Sequence, residues 1–304
     1  ADCSSSPPQP AANSASAANS TASGRSTAGK DNAPSVSLAP AVRTYDNFLI
    51  DLDGCVWVGD QPIPGAADAI ASLREAGKSV LFVTNDVRQA PEGFVRKLWK
   101  LGFQASLSEV LSAGSALQYV LAERYRGTAY VVGSQALVDH VAEAGLRVVN
   151  NTPFAPRADI VVVAAHDGLT YDELRIAVQA VLRGAELIGA TRDPTFPMPD
   201  GPWPATGAVL AAIETATGVR ASRIVGKPEE PIYAAARDRL GAGRTLAIGD
   251  RLDTDIAGAR RAGLDTALVL TGGTTREQAA AADPRPTHVA DSLAALVTGS
   301  PAVA

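Results

Sequence analysis

The sequence predicts an α/β protein built on a parallel sheet with helices on both faces. Two observations carry this: from residue 42 onward short apolar runs alternate with stretches of helical period, and the strongest apolar runs end in polar clusters. The first expected strand is 47–53, where Phe48-Leu49-Ile50 runs into Asp51, and the second is 79–84. Pro91 then opens a helix with Phe94, Val95, Leu98 and Trp99 on one face, and Gly102 closes it. Strands at 128–133 and 158–165 follow. Thr170 and Glu173 form a capping box, Leu174, Val178, Val181 and Leu182 recur at helical spacing, and Gly184 supplies the stop. After a strand at 186–190, residues 191–204 carry five prolines and one glycine and read as a rigid surface loop, a type that often carries specificity. Strands at 222–225, 244–249 and 266–270 complete the pattern.

A chain of 304 residues suggests two domains and a sizeable core. Of the first 40 residues, 10 are Ala, 10 Ser and 5 Pro, too little apolar surface to offset ordering entropy, so residues 1–41 are expected to be a disordered tail. With 27 Lys and Arg against 32 Asp and Glu, and no basic cluster, the chain lacks the footprint of a nucleic-acid or anionic-membrane binder. The longest apolar runs fall far short of the roughly 20 residues that cross a bilayer, so no membrane partner is expected. Two cysteines, Cys3 and Cys55, allow neither a disulfide framework nor a zinc spacing, which fits a reducing, cytoplasmic setting.

In open parallel sheets ligands bind beyond the carboxyl ends of the strands. Four polar signals stand there: Asp51-Leu52-Asp53-Gly54, Thr84-Asn85-Asp86, Gly226-Lys227-Pro228, and Gly249-Asp250-Arg251-Leu252-Asp253-Thr254-Asp255. Each alone has an ordinary reading: a turn, a helix cap, a solvated lysine, an acidic helix start. A calcium loop is excluded for the first, since its glycine would come sixth and Gly54 is fourth. Their joint occurrence at strand ends that one sheet would gather favours a shared site.

That set suits phosphoryl transfer through an aspartyl intermediate. A phosphate dianion and a carboxylate repel by roughly 4 kcal/mol per unit-charge pair at about 4 Å and an effective dielectric of about 20, so a cation must sit between them. Magnesium prefers oxygen ligands and bridges carboxylates to phosphate, and Asp51 and Asp250 supply those carboxylates. Asp53, two residues beyond the nucleophile, can act on the leaving oxygen, first as acid and then as base toward water. Thr84 and Lys227 offer a hydroxyl and a fixed positive charge to the transferring oxygens.

With these motifs in order, residues 43–298 resemble the haloacid dehalogenase superfamily of phosphohydrolases, in its NagD-like branch. The resemblance implies a Rossmann-like core over 42–125 and 206–304, with an α/β cap inserted over 126–205. It implies Asp51 as nucleophile and magnesium ligand, and Asp53 as acid/base whose backbone carbonyl also binds the metal. Asp250 becomes the remaining protein ligand, Asp255 lies outside the ligand set, and Thr84, Asn85 and Lys227 hold the phosphoryl group. Substrates would be small phosphorylated metabolites, such as glycerol, sugar, nucleotide or aryl phosphates. The branch often dimerises through its cap, while the sequence itself leaves a homodimer open. Cys55, Asp86 and Arg192 depart from the usual pattern, and Arg192 begins the cap loop expected to face the leaving group.

A signalling receiver shares the phospho-accepting aspartate and later lysine but needs only about 120 residues and not the segment between Thr84 and Lys227. A dinucleotide-dependent oxidoreductase would need a Gly-x-Gly-x-x-Gly turn after a strand, and none is present. Phosphonatase chemistry needs a cap lysine, and there is no lysine between Lys100 and Lys227. For specificity the candidates are Arg192 for a second anion, Phe196 and Met198 for an apolar or planar leaving group, and His166 at the end of its apolar strand. The alternative reading of Phe196 is that it packs inside the cap. His140 and His288 read as packing or surface residues, and Cys55 as a small buried filler.

Overall fold

In the computed structural model, which describes residues 38–198 and 201–299, two parallel sheets are built in chain order. The first elements are β1 (Asn47–Asp51), the short hairpin β2 (Trp57–Val58) and β3 (Gln61–Pro62), α1 (Ala66–Glu75), β4 (Ser79–Thr84), α2 (Pro91–Lys100), β5 (Val110–Ser112) and α3 (Ala113–Arg124). Next come β6 (Thr128–Val132), α4 (Gln135–Glu143), β7 (Arg147–Val148), β8 (Ile160–Val163), α5 (Tyr171–Leu182), β9 (Glu186–Gly189), β10 (Thr195–Met198), β11 (Gly201–Pro204), α6 (Thr206–Thr217) and β12 (Arg223–Ile224). The chain ends with α7 (Glu230–Leu240), β13 (Thr245–Gly249), α8 (Ala257–Arg261), β14 (Asp265–Val269), α9 (Arg276–Ala281), β15 (His288–Ala290) and α10 (Leu293–Thr298).

The first sheet has the order β15-β14-β13-β1-β4-β5 and the second β12-β9-β8-β6-β7, with every pairing in both parallel. Strand alternation sorts the first core. Phe48, Ile50, Phe82 and Ile248 face one way, packed under α1, α2 and α10. Leu49, Leu81, Val83 and Ala247 face the other, under α3 and α7, and that cluster runs on to Ala129, Val131, Ile160 and Val162 of the second sheet. The second sheet's outer face is closed by α5 and α6 through Ala177, Val181, Val209, Leu210 and Ile213. Burial on both faces is why these strands read as unbroken apolar runs. Each buried Val, Leu, Ile or Phe among them contributes about 1.5–3 kcal/mol against exposure.

Thr170 and Glu173 make the expected capping box, with Thr170 N–H donating to Glu173 Oε2 at 2.7 Å, and Gly184 stops the helix at φ +103. Leu182 and Trp99, expected on apolar faces, are exposed instead, the indole of Trp99 donating to the Ala105 carbonyl at 2.7 Å. Ordered chain begins earlier than residue 42. Leu38 is buried against the α10 core and Ala39 N–H donates to Val297 O at 2.8 Å, because Leu38 and Val42 supply the apolar contacts that the rest of the stretch lacks. Residues 1–37 of the expected tail lie outside the described residues.

Two expectations about 126–205 meet the structure differently. The proline-rich stretch contains an antiparallel hairpin, β10 with β11, in the register Phe196↔Trp203 and Pro197↔Pro202. Two prolines opposite each other donate no ladder bond, so the pairing is left to the alternate positions. Beyond residue 205, α6 packs on the second sheet and β12 pairs with β9, so a division at 205 would cut both from the sheet they complete. Among the described residues no helix is long and apolar enough to cross a membrane.

Candidate active site

The order of the first sheet changes direction between β1 and β13, and the polar residues following those two strands and β4 meet at their carboxyl ends. Asp51 is the last residue of β1 and Asp250 follows β13 directly, and both are buried. Gly54, at φ +82, lets the turn after β1 approach. A Cβ there would lie 2.5 Å from Asp250 Oδ2. The loop after β14 wraps the same carboxylate, Gly273 N–H donating to Asp250 Oδ2 at 2.5 Å and Thr271 Oγ1 to the Gly54 carbonyl at 2.5 Å.

Lys227, buried, donates from Nζ to Asp51 Oδ1 at 2.5 Å and to Asp255 Oδ1 at 2.7 Å. Asp255 is fixed in turn by the Arg251 N–H on its other oxygen, at 3.1 Å. Two carboxylates thus share one ammonium, with the Asp250 carboxylate beside them, and the surplus negative charge sets the electrostatics. Burial, against the pull of Lys227, lifts the Asp51 carboxyl well above its ordinary value, and Asp255 and Asp250 add to it. Burial and Asp255 push Asp250 up to about 6 despite the Gly273 N–H. Burial alone would lower the Lys227 pKa, but Asp255 and Asp51 outweigh it and hold the ammonium charged.

The donor set fits a hard divalent cation. Ligand atoms of Asp51, Cys55 and Asp250 lie within 4.8 Å of one another, and a cation between the two carboxylates would relieve the charge that raises them. Cys55 is no part of that set, since burial holds its thiol well above the ordinary value and a protonated thiol is a poor partner for magnesium.

Asp53 is exposed at the edge of this cluster, and its Oδ1 accepts the Trp57 indole N–H at 2.8 Å. Although the residue reaches solvent, the protein crowding its carboxyl raises the pKa, an effect that the indole offsets only in part. Thr84, buried at the end of β4, accepts the Asp86 N–H on Oγ1 at 3.1 Å, which leaves its own proton to be directed elsewhere.

Asn85, expected on the phosphoryl group, spends its side chain inside the protein. Oδ1 accepts the Lys227 N–H at 2.8 Å, while Nδ2 donates to the Lys227 carbonyl at 2.9 Å and to Asp193 Oδ2 at 2.8 Å. Arg192 does not face the leaving-group side. Its guanidinium forms two bonds to Glu214 on α6, at 2.9 and 3.3 Å, because that buried carboxylate needs cations and finds them in Arg192 and Arg220. His166 pairs through Nε2 with Glu173 at 3.0 Å at the start of α5. Phe196 is half-buried, its ring 6.3 Å from that of Trp203 and 4.4 Å from the guanidinium carbon of Arg88, which Asp86 holds. The Met198 side chain lies outside the described residues.

Sequence reasoning missed Asp193, Arg251 and Trp57. Asp193 receives Asn85 and, at 3.3 Å, Arg251, so one carboxylate ties the segment entering the β10–β11 hairpin to the loops that follow β4 and β13. Arg251 was visible only as part of the fourth motif, and Trp57 carries no signal beyond nearness to Asp53.

Residues 48–147 match the family model of haloacid dehalogenase-like hydrolases, and residues 224–296 match a second HAD-hydrolase-like model. The chain is 34% identical over 250 residues to an acid sugar phosphatase of Staphylococcus haemolyticus, covering 81% of this chain and 93% of that one. Its fold is similar to the crystal structure of glycerol phosphate phosphatase from Mycobacterium tuberculosis in complex with magnesium, with a TM-score of 0.78, 36% identity, and coverage of 84% and 77%. NagD from E. coli K-12 superposes with a TM-score of 0.76 at 28% identity, covering 83% of this chain and 98% of that one.

Proposed function

The chain belongs to the haloacid dehalogenase-like hydrolases as a NagD-like phosphatase, and from that premise we propose that it is a magnesium-dependent phosphomonoesterase working through an aspartyl-phosphate. The observation that carries the reading is Lys227 Nζ, 2.5 Å from Asp51 and 2.7 Å from Asp255, beside the buried carboxylate of Asp250. Asp51, Asp250 and the Asp53 backbone carbonyl are the ligands we assign to magnesium. Bound there, the ion screens the nucleophile from the phosphate dianion.

The remaining work falls to the chain's own side chains. An Asp51 oxygen attacks phosphorus, the ester P–O bond breaks, and Asp53 gives its proton to the departing oxygen. Asp53, now a carboxylate, takes a proton from water as that water attacks phosphorus, and the Asp51 carboxylate leaves. Lys227 directs two of its three ammonium protons at Asp51 and Asp255 and offers the third to a phosphoryl oxygen. Thr84 offers its hydroxyl proton. Asn85 acts through the Lys227 backbone that it clamps.

We assign the segment from 126 through β12 as the cap, with Phe196 toward the leaving group and Arg192 and His166 as internal fasteners. Substrates are small phosphorylated metabolites of the glycerol, sugar, nucleotide or aryl class, with neither nucleic acid nor membrane as partner, a cytoplasmic setting, and a homodimer formed through the cap. The reading is tested by phosphate release from such a panel with and without magnesium. Release that persists after chelation would contradict it.

A further inference from the structure

We propose that Trp57 is a positioning residue for Asp53 that dictates which carboxyl oxygen carries the transferable proton. The inference rests on the reading of Asp53 as the proton donor. Trp57 Nε1 lies 2.8 Å from Asp53 Oδ1, and an indole N–H donates but never accepts. A neutral Asp53 therefore favours its proton on Oδ2, because a carbonyl-type Oδ1 accepts the indole N–H far better than a hydroxyl oxygen does. The proton sits on Oδ2.

The indole is held firmly enough to impose this. Trp57 is almost fully buried in the first core, Gly54 N–H donates to the Trp57 carbonyl at 2.7 Å, and the Val56 N–H reaches the Leu52 carbonyl at 2.8 Å, so the 52–57 turn is closed on itself. Lys97 on α2 lays its ammonium 4.5 Å from the centre of the indole ring while donating to the Gly59 carbonyl at 2.8 Å. A tryptophan needed only for packing could satisfy its N–H on any carbonyl. Here it is spent on the acid.

The consequence follows the proton. In the first half-reaction the Asp51 O–P bond forms, the ester P–O bond breaks, and the proton passes from Asp53 Oδ2 to the departing oxygen. In the second, water gives a proton to the Asp53 carboxylate while its oxygen bonds phosphorus and Asp51 is released. Between the two, the indole N–H stabilises the Asp53 anion. Loss of that hydrogen bond matters in proportion to how much the leaving group needs protonation.

The test compares kcat/KM across aryl and alkyl phosphates of rising leaving-group pKa for the wild type, Trp57→Phe and Asp53→Asn, all with magnesium and with melting temperatures recorded. Phenylalanine keeps a ring in the core and under Lys97 and removes the donor, and the recorded melting temperature reads the packing lost with the smaller ring. We expect Trp57→Phe to lose roughly tenfold on alkyl esters and to stay within about twofold of wild type on 4-nitrophenyl phosphate, because a hydrogen bond to a charged group is worth about that factor. Trp57→His, whose ring N–H restores a donor, should lose less on alkyl esters and carries the test if the phenylalanine variant does not fold. A Trp57→Phe loss that is equal on every substrate, or absent, while Asp53→Asn shows a leaving-group-dependent loss, overturns the inference alone. An Asp53→Asn loss equal on every substrate overturns the reading of Asp53, and the inference with it.

Discussion

Asn85 donates to Asp193 across 108 residues of sequence, Nδ2 to Oδ2 at 2.8 Å, and with its other end holds the backbone of Lys227. Because Asp193 also receives Arg251, one carboxylate joins the loops that follow β4 and β13 to the segment leading into the β10–β11 hairpin. Asp193→Ala removes that join without touching Asp51, Asp53 or Asp250. We expect kcat/KM to fall roughly tenfold, as positioning losses do, with melting temperature little changed. Unchanged kinetics would show that the join is idle.

Arg192 belongs to stability rather than to specificity. Glu214, buried on α6, has its carboxyl lowered to about 2, chiefly by the hydrogen bonds from Arg192, with the Ala221 N–H and Arg220 adding to it. A folded pKa below the ordinary glutamate value of about 4.3 means stability that is fully present above that value and lost as pH falls toward 2. Glu214→Gln should cost on the order of 2 kcal/mol at neutral pH, discounted because both arginines reach solvent, and that difference should narrow below about pH 4.5. Urea titrations of both proteins from about pH 2 to pH 7 read this directly. Arg192→Ala should lower the melting temperature and leave substrate preference alone.

Phe196 lies against Arg88, which follows the Thr84 loop. Phe196→Ala should raise KM for the preferred substrate by the equivalent of about 1–3 kcal/mol and leave the smallest phosphate esters nearly untouched. Uniform loss on all esters with a lower melting temperature would make Phe196 a packing residue.

Magnesium should raise the melting temperature in a concentration-dependent way, because a ligand that binds only the folded state stabilises it. Asp250→Asn should abolish that shift as well as activity, while Cys55→Ala should keep both. A thermal shift that survives in Asp250→Asn would remove Asp250 from the ligand set.

The strand ends were legible in the sequence because parallel strands buried on both faces are apolar runs, and a carboxylate at the end of one is conspicuous. Asp51, Thr84 and Asp250 could be found that way. Lys227 follows β12, a half-buried edge strand of the second sheet, so the expectation that one sheet gathers all four motifs does not hold and Lys227 reaches the site from the other sheet. The hairpin at 195–204 was not, because prolines that suit a two-stranded edge read as loop. Nor were the partners of Arg192 and Asn85. A guanidinium in a loop looks free until the fold brings Glu214 beneath it, and the Asn85 amide looks available until the loop carrying Lys227 closes on it. Side chains that fasten one loop to another leave no periodicity to read.

Asp51→Asn, measured on an aryl phosphate with saturating magnesium, bears most directly on the central claim. A neutral amide cannot attack phosphorus and carries no charge to pair with Lys227, so the account predicts a loss of at least about a thousandfold in turnover with the fold retained by circular dichroism. Turnover above about one per cent of wild type in a folded Asp51→Asn protein would contradict Asp51 as the nucleophile.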